Sequence, residues 1–487
     1  MDASSPDGTA VACELPVTTS SQAAATSLQL ASTRFVQRAT DAMSHVDQAL
    51  THDPDCVQAH AMKGLLLHGT RNENHREPVA AALQAAEKAA DSSDALTHRE
   101  QLYIDALRHS SAGSLFGAVD CYEQILAQHP HDLYALTQCQ SELFWLGEVH
   151  RSETVSAQAS AGWQPGDSGY ADLLAIRAFD LEEVGRYRDA ERCGMEALEI
   201  DGSTIWAAHA VAHVLYMEDR HRDGAGLLDD WQQRWQQHNQ MQFHINWHHR
   251  LFLLEQGDHA RVLQHYDEGV RNTEHPLVQA MPDLYIDIQN GASMLWRLEQ
   301  QGVNVGHRWE ELAALVEPRL GDIWSPFTSA HFAIVLAAVG NWDACERLLV
   351  QMQAFGDEAA AASSTTAAPH IEALPDHGAL PARLTRTKTL PARYWRAALP
   401  AARAAVLHRR GDAAGAVQEL APARFDLWSM GGSHAQRDVF FQLLARAALD
   451  AGDVKLVQTL EPEIEKLGFA NIVGRSGYRG VFNGVSG

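Results

Sequence analysis

The chain has 487 residues, 46% of them hydrophobic, and a formal charge of −24 at pH 7. This length allows two or three ordinary domains or one long repeat array. The negative charge argues against nucleic acid and anionic membranes as partners, because both would be repelled. There is no run of eighteen apolar residues and no basic start followed by an apolar core. The sequence therefore predicts neither a membrane span nor a secretory signal, and it is typical of a soluble cytoplasmic protein.

Six cysteines are scattered along the chain without any CxxC pair. This pattern predicts reduced, buried thiols rather than a disulfide framework or a thiolate zinc site. The sequence also has no serine nucleophile elbow, Walker loop or Rossmann fingerprint. No redox cofactor is predicted.

Helical periodicity dominates from Thr33 onward. Apolar or small residues recur at three- and four-residue spacing, and glycines such as Gly147, Gly185 and Gly257 fall at turns that fit a period in the thirties. Units of this length, with small residues at helix crossings, are typical of stacked helical hairpins. The sequence therefore predicts an all-α solenoid of antiparallel helix hairpins, similar to tetratricopeptide repeats.

Composition divides the chain into five parts. Ser, Thr, Ala and Pro dominate the start, several prolines and a small-residue run interrupt the array after Gly356, and the end is rich in glycine. The predicted parts are a disordered or weakly ordered tail at 1–32, helical repeats with a His-rich groove at 33–353, a Pro/Ala-rich insertion at 354–392, C-terminal helical repeats at 393–467 and an irregular Gly-rich tail at 468–487.

Two histidine pairs distinguish this chain from a generic helical protein. His209 and His213 stand four residues apart, and so do His244 and His248. On a helix this spacing places both imidazoles of a pair on one face. Two such pairs on successive helices can meet across one groove, where they could bind a ligand, bind a metal or move a substrate proton. The alternative is that each imidazole is a satisfied polar group in helix packing.

A divalent metal is one of the open readings of these pairs. Zinc needs three or four nitrogens, often with carboxylates behind them. The HExxH motif of zinc proteases is excluded, because Ala210 and Ile245 occupy the glutamate position.

A second constellation lies in SMGGSHAQRDVF, where Ser433 is expected to cap a helix. His434 and Asp438 are again four residues apart, so Asp438 could orient the imidazole as a general base, with Arg437 stabilising a developing anion. The competing reading is an ordinary helix start. His331, on an otherwise apolar helix, is a further candidate, although a lone histidine in such a place is more often a core residue.

At these residues the chain resembles the tetratricopeptide repeat protein 38 family. The matching blocks are 206–214, 244–257, 293–309 and 431–440, with weaker matches at 97–100 and 181–187. Together they span most of residues 33–465. The resemblance implies a cytosolic α-helical repeat protein and no settled reaction.

Three positions depart from that family's pattern. Asn290 and Ser329 stand where the family carries aspartate, and Ile245 stands where it carries asparagine. Losing two carboxylates would weaken a cation site and favour a neutral or anionic small molecule.

The leading hypothesis is a small-molecule enzyme that uses metal-free acid/base chemistry in the concave groove of the solenoid. Eight side chains are predicted to line the site: His209, His213, His244, His248, His331, His434, Arg437 and Asp438. A metal-dependent hydrolase that uses the two histidine pairs as ligands is one alternative, and a protein-interaction adaptor is the other. The sequence leaves a homo-oligomer open.

Overall fold

The computed structural model describes residues 15–231, 234–323, 325–363 and 390–485. These residues form α-helices joined by short turns, with one isolated antiparallel bridge between Ala39 and His238. Successive helices stack as antiparallel hairpins, so the predicted all-α solenoid is confirmed. No helix in the described part of the chain is long and apolar enough to cross a lipid bilayer.

The first twelve helices are α1 (Gln22–Val36), α2 (Ala42–His52), α3 (Val57–His68), α4 (Arg76–Asp91), α5 (His98–Ser111), α6 (Leu115–Gln128), α7 (Leu133–Trp145), α8 (Val149–Ser160), α9 (Tyr170–Glu183), α10 (Tyr187–Ile200), α11 (Ile205–Met217) and α12 (His221–Trp231). The remaining helices are α13 (Met241–Glu255), α14 (His259–His265), α15 (Pro276–Ala280), α16 (Tyr285–Gln300), α17 (Arg308–Val316), α18 (Pro326–Ala338), α19 (Trp342–Ser363), α20 (Leu390–Arg393), α21 (Leu399–Arg409), α22 (Ala413–Ala423), α23 (His434–Asp450), α24 (Val454–Glu465) and α25 (Ser476–Phe482).

The first helices of the central hairpins form the interior of the stack. Helix α11 packs against α9 and α13, α13 packs against α16, and α16 packs against α18. Helix α23, from the C-terminal part, contacts both α11 and α16. Since α11 is covered from several sides, each of its residues from Ala207 to Met217 is buried. A helix that is apolar around most of its circumference belongs in such a position.

Glycines end several helices, as the sequence predicted. Gly185 follows α9 with φ +77 and Gly147 follows α7 with φ +67, conformations that residues with a Cβ rarely adopt. A Cβ on Gly147 would also overlap the backbone carbonyl of Trp428. The predicted cap at Ser433 is confirmed: its hydroxyl accepts from the backbone N–H of Gln436, and the Gln436 side chain completes a capping box.

Apolar packing fills the stack in two large clusters, one from Leu28 to Ile176 and one from Leu174 to Phe482. The five described cysteines are buried and free, as expected, whereas Cys13 lies outside the described residues. Burial of this apolar surface is the dominant favourable contribution to folding.

Regular structure begins earlier than the predicted tail at 1–32 allowed. Helix α1 starts at Gln22, where the Ser21 side chain accepts from the backbone N–H of Ala24. Its apolar side, which includes Leu28 and Ala31, is buried, and the helix packs against α2 and α7. Composition indicated a tail because alanine, serine and threonine hide the narrow apolar side that tertiary contacts cover.

The two later boundaries also differ from the prediction. Helix α19 extends into the predicted insertion at 354–392 as far as Ser363, and the stretch 364–389 lies outside the described residues. The predicted irregular tail at 468–487 contains α25, which packs against α23 and α24. Buried Tyr478 and Phe482 explain why this glycine-rich segment folds onto the stack.

Candidate metal centre

The four paired histidines converge in the interior of the stack. Helix α11 supplies His209 and His213, and the neighbouring α13 supplies His244 and His248. The Nε2 atom of His209 lies 3.0 Å from that of His213 and 3.1 Å from that of His244, and the Nε2 atoms of His244 and His248 are 3.2 Å apart. One atom from each imidazole therefore points at a common position.

Hydrogen bonds among the imidazoles alone cannot satisfy these contacts. A neutral imidazole nitrogen carries either one proton or one lone pair. The Nε2 atom of His209 has two close nitrogen neighbours, and so does that of His244. A cation at the common position would satisfy all four lone pairs together.

The spacing is close to that of a transition-metal site. Zinc binds imidazole nitrogen at about 2.0–2.1 Å in tetrahedral geometry, which places two such nitrogens roughly 3.3 Å apart. The observed separations of 3.0, 3.1 and 3.2 Å come near this value. The donor set, four imidazoles without a thiolate, also suits copper, nickel and iron.

Two of the imidazoles have a polar partner on the opposite ring nitrogen. Asn290 on α16 accepts a hydrogen bond through Oδ1 from Nδ1 of His244 at 3.1 Å. The Nδ1 atom of His213 lies 3.3 Å from Oε2 of Glu182 and 3.9 Å from Oε1 of Glu183. A proton held on Nδ1 leaves the lone pair on Nε2, which is the usual arrangement behind metal-binding histidines.

The imidazoles are uncharged at neutral pH. Burial lowers the pKa of His213 to about 4, with Glu183 opposing the shift, and burial lowers that of His244 to about 3. Burial together with the neighbouring imidazoles holds the pKa values of His209 and His248 well below the usual range. Four neutral imidazoles are ready to donate lone pairs without first losing protons.

Aromatic rings fix the orientation of the cluster. The His209 ring stacks on Phe179 at 5.2 Å between centroids and lies 4.7 Å from the Trp206 ring. The His244 ring stacks on Trp247 at 5.5 Å. Tryptophan therefore flanks both pairs and restricts the freedom of the imidazoles.

The carboxylates at the end of α9 were not among the residues predicted from the sequence. Glu182 and Glu183 are both buried beside His213. Burial raises the pKa of Glu182 to about 8, and burial with Glu182 nearby raises that of Glu183 well above its usual range. The signal in the sequence was weak, because α9 also carries Asp172, Arg177 and Asp180. Burial beside His213 is what singles out Glu182 and Glu183, since acids are rarely buried without a role. They place two ionisable carboxyl groups at a site where the departures at Asn290 and Ser329 led us to expect fewer acids.

Two of the later candidates lie beside these carboxylates. The His434 ring at the start of α23 faces the backbone carbonyl of Glu183, and burial with Arg437 nearby lowers the pKa of His434 to about 3. Arg437 is buried and donates to the backbone carbonyl of Gly432. Burial lowers the pKa of Arg437, and the nearby Glu183 and Glu182 oppose that shift. Side chains separated by more than two hundred positions are thus neighbours at this point of the stack.

The predicted pairing of His434 with Asp438 is wrong. Asp438 accepts from the Tyr478 hydroxyl at 2.5 Å and from Nε2 of Gln442 at 2.5 Å, and it lies 3.6 Å from Nη2 of Arg297. Both carboxylate oxygens are therefore engaged by α16, α23 and α25. The i,i+4 spacing of His434 and Asp438 does not bring them into contact, because the neighbours around a fully buried helix decide where each side chain goes.

His331 is a core residue on α18. Its Nδ1 atom donates to the backbone carbonyl of Phe327 at 2.9 Å, and its ring packs against Phe327 and Phe440. Such a core role for His331 is the alternative to a role in the site that the sequence also allowed. Ser329 likewise bonds the Tyr394 hydroxyl at 2.9 Å.

The histidine cluster does not line an open groove. His209, His213, His244 and His248 are 2%, 1%, 3% and 0% exposed. The sequence predicted an open groove here. Instead, α16 packs against α13 and α23 packs against α11, so the histidines are covered. The arrangement can hold a desolvated cation, whose charge would favour the ionised forms of Glu182 and Glu183.

No protein-family model matches the chain. Among solved structures, it is similar to a human IFIT1 dimer with PPP-AAAA at 10% identity and a TM-score of 0.40, over 84% of this chain and 90% of that one. It is also similar to a structure of Naa15/Naa10 bound to HypK-THB at 12% identity and a TM-score of 0.24, over 95% of this chain and 79% of that one. Likeness at these identities and TM-scores supports no conclusion about the function of this chain. The resemblance to the tetratricopeptide repeat protein 38 family stays a prediction.

Proposed function

We propose that this protein is a metal-dependent hydrolase whose zinc-class dication is bound by His209, His213, His244 and His248. The observation that supports it is the convergence of four Nε2 atoms at 3.0–3.2 Å between neighbours, with Asn290 and Glu182 behind two of the rings. Metal-free acid/base chemistry is less well supported, because Asp438 bonds Tyr478 and Gln442 instead of orienting His434.

The donor set favours a reactive centre over a structural one. Structural zinc sites are rich in cysteine, whereas catalytic sites are rich in histidine and carboxylate. Structural metals are also typical of small domains that lack an apolar core. Here a large apolar cluster already surrounds the site, so folding has no evident need of a metal.

Catalytic zinc centres keep one position for water. Nδ1 of His244 has a hydrogen bond to Asn290, and Nδ1 of His213 has Glu182 at 3.3 Å although no hydrogen bond forms there, whereas Nδ1 of His209 and of His248 have neither kind of neighbour among the described residues. We infer that one of these two less constrained imidazoles yields its place to water. The dication would lower the pKa of that water and polarise the bond under attack.

Metal analysis of the purified protein tests the metal centre. We expect about one equivalent of a transition metal per chain. His213→Ala combined with His244→Ala should abolish binding, whereas His331→Gln, which changes a buried imidazole outside the cluster, should retain it. Less than a tenth of an equivalent after incubation with zinc, copper, nickel and iron salts would retire the proposal.

The hydrolytic activity needs its own measurement. Zinc-loaded protein should cleave members of a panel of chromogenic esters and phosphoesters, and protein treated with a chelator should not. A protein that binds one metal yet cleaves none of the panel, at rates above free zinc, would contradict the hydrolase assignment while leaving the metal centre intact.

A further inference from the structure

A second site lies at the N-terminal end of α11, on the far side of Trp206 from the histidine cluster. A cavity of about 180 Å³ opens there, lined by side chains from the α1–α2 turn, the α10–α11 turn and the segment after α12. Its cationic side chains are Arg34, Arg38 and Arg234. The Trp206 ring separates the cavity from the cluster, with the Arg38 guanidinium carbon 4.4 Å from one ring centroid and the His209 ring 4.7 Å from Trp206.

We propose that this cavity binds the oxyanion group, a phosphate or a carboxylate, of a small-molecule ligand. Because Trp206 lies between the cavity and the histidine cluster, this ligand is proposed independently of the hydrolase function. The anion site itself stands on separate residues and is tested separately.

Two guanidinium groups in the cavity have no ion-pair partner within 4 Å among the described residues, although Asp172 stabilises the charge of Arg38 from a greater distance. Arg34 pairs with Asp41 at 2.7 Å, but neither Arg38 nor Arg234 forms an ion pair with any described residue. The Nε atom of Arg38 is buried without a hydrogen-bond partner in the part of the chain that the structure describes. A buried guanidinium donor without an acceptor is unfavourable, and an oxyanion would satisfy it.

The start of α11 adds further donors. Thr204 occupies the N-cap position, is 7% exposed and lines the cavity, yet its hydroxyl makes no capping bond and has no partner among the described residues. The first N–H groups of a helix lack intrahelical acceptors, and the helix dipole favours an anion at this end. The unpartnered hydroxyl and the uncapped helix end therefore face the same space as the free guanidiniums.

Backbone hydrogen bonding positions Arg38, and a glycine leaves space for the exposed Arg234. Arg38 has φ +59, and its carbonyl accepts from the backbone N–H of Asn239 at 2.7 Å, beside the bridge between Ala39 and His238. Nη1 of Arg234 lies so close to Gly202 that a Cβ there would overlap it. Gly202 thus permits the guanidinium to approach the turn that leads into α11.

Two carboxyl groups also line the cavity, and they limit its positive charge. Asp201 accepts from the backbone N–H and the hydroxyl of Ser203 at 2.9 and 2.7 Å. Burial, with Asp201 nearby, raises the pKa of Asp172 to about 7, and the charge of Arg38 opposes this shift. The two free guanidiniums and the helix dipole therefore outweigh the acids at or below neutral pH.

There is room for the rest of a ligand. A larger cavity of about 460 Å³ shares Gln37 and Asp172 with the smaller one and lies between α1, α7 and α9. A molecule anchored by its anionic group beside Trp206 would therefore have space to extend away from the anchor. Cavities of this size suit small-molecule ligands.

The test is calorimetric titration with inorganic phosphate and with acetate at pH 6.5, with chloride held constant. We expect saturable binding of at least one of the two anions, and the stronger one identifies the head group. Arg38→Gln combined with Arg234→Gln should weaken binding at least about tenfold. Arg192→Gln, which changes an exposed arginine on α10, should leave binding unchanged. Absence of saturable binding by both anions would overturn the proposal.

A milder variant guards against misfolding. Gly202→Ala removes no charge, but its Cβ must displace the Arg234 guanidinium, so anion binding should weaken several-fold at an unchanged melting temperature. Each titration is run on zinc-loaded and on chelator-treated protein. Binding that survives chelation and is lost in the arginine variants supports the anion site whether or not the metal proposal holds. If anion binding requires zinc and is unchanged in the arginine variants, the anion site is overturned and the proposed metal centre is supported.

Discussion

The Nδ1 atom of His213 lies 3.3 Å from Oε2 of Glu182, and the two side chains are 1% and 0% exposed. His213 is the only one of the four clustered imidazoles that has a carboxylate this close among the described residues. A carboxylate behind a metal-binding histidine fixes its tautomer and increases the basicity of the donor nitrogen. Glu182 is therefore expected to act on the metal through His213.

Glu182→Gln should weaken metal binding by about 10- to 100-fold, because an amide is a poorer partner for Nδ1 than a carboxylate. Asn290→Asp, which adds a carboxylate behind His244, should strengthen binding by about tenfold for the same reason. Affinity is measured by competition with a chelator of known strength.

The matched control is Glu255→Gln. Glu255 lies on α13, like His244, but it accepts from the backbone N–H of Ser476 at 2.6 Å at the other end of the helix. Its replacement should leave metal affinity unchanged. Equal effects of Glu182→Gln and Glu255→Gln would mean that the variants act through overall stability rather than through His213.

A buried acid predicts how stability depends on pH. Asp287 on α16 is 1% exposed, and neither of its carboxyl oxygens has a hydrogen-bond partner among the described residues. Burial raises its pKa to about 7, with Arg271 opposing the shift. In the unfolded chain an aspartate titrates near about pH 4. Between about pH 4 and about pH 7 the folded state retains a proton on Asp287 that the unfolded state releases. The contribution of Asp287 to the free energy of unfolding therefore falls as the pH rises through this range. Above about pH 7 the contribution is constant.

Asp287→Asn removes the titrating group, and with it the fall in the free energy of unfolding between about pH 4 and about pH 7. It should raise the free energy of unfolding at pH 8 by on the order of 2–4 kcal/mol and have little effect at pH 4. Urea unfolding at several pH values measures the difference. The exposed Asp230→Asn should shift neither value by more than about 0.5 kcal/mol. A gain at pH 8 no larger than that of the control would mean that Asp287 is not held in its protonated form.

The helices and the histidine cluster could be predicted because their determinants are local. An i,i+4 pair shares a face of any helix, and repeat stacking places the corresponding helices of neighbouring hairpins side by side. His209, His213, His244 and His248 satisfy both conditions, since α11 and α13 are packed neighbours. Their convergence thus followed from the sequence pattern.

The partners of Asp438 could not be predicted in this way. Tyr478 approaches it from α25, forty residues farther along the chain, and Arg297 approaches from α16. Glu182 was missed for the same reason, because its proximity to His213 depends on how α9 packs against α11. Helical periodicity identifies a shared face, but it does not identify what lies opposite when the whole circumference is buried.

The C-terminal segment is expected to stabilise the helix that carries His209 and His213. Arg475, 2% exposed, donates from Nη2 to the carbonyls of Tyr216 at 2.6 Å and Met217 at 3.0 Å, where α11 ends. Arg475→Ala leaves these carbonyls without the guanidinium in a buried environment, so the free energy of unfolding should fall by about 3 kcal/mol. Arg479→Ala, which changes an exposed arginine on α25, should cost less than about 0.5 kcal/mol. Because α11 supplies two of the four proposed ligands, Arg475→Ala should also speed release of a bound metal to a chelator. A variant with wild-type stability would mean that the C-terminal segment does not support α11.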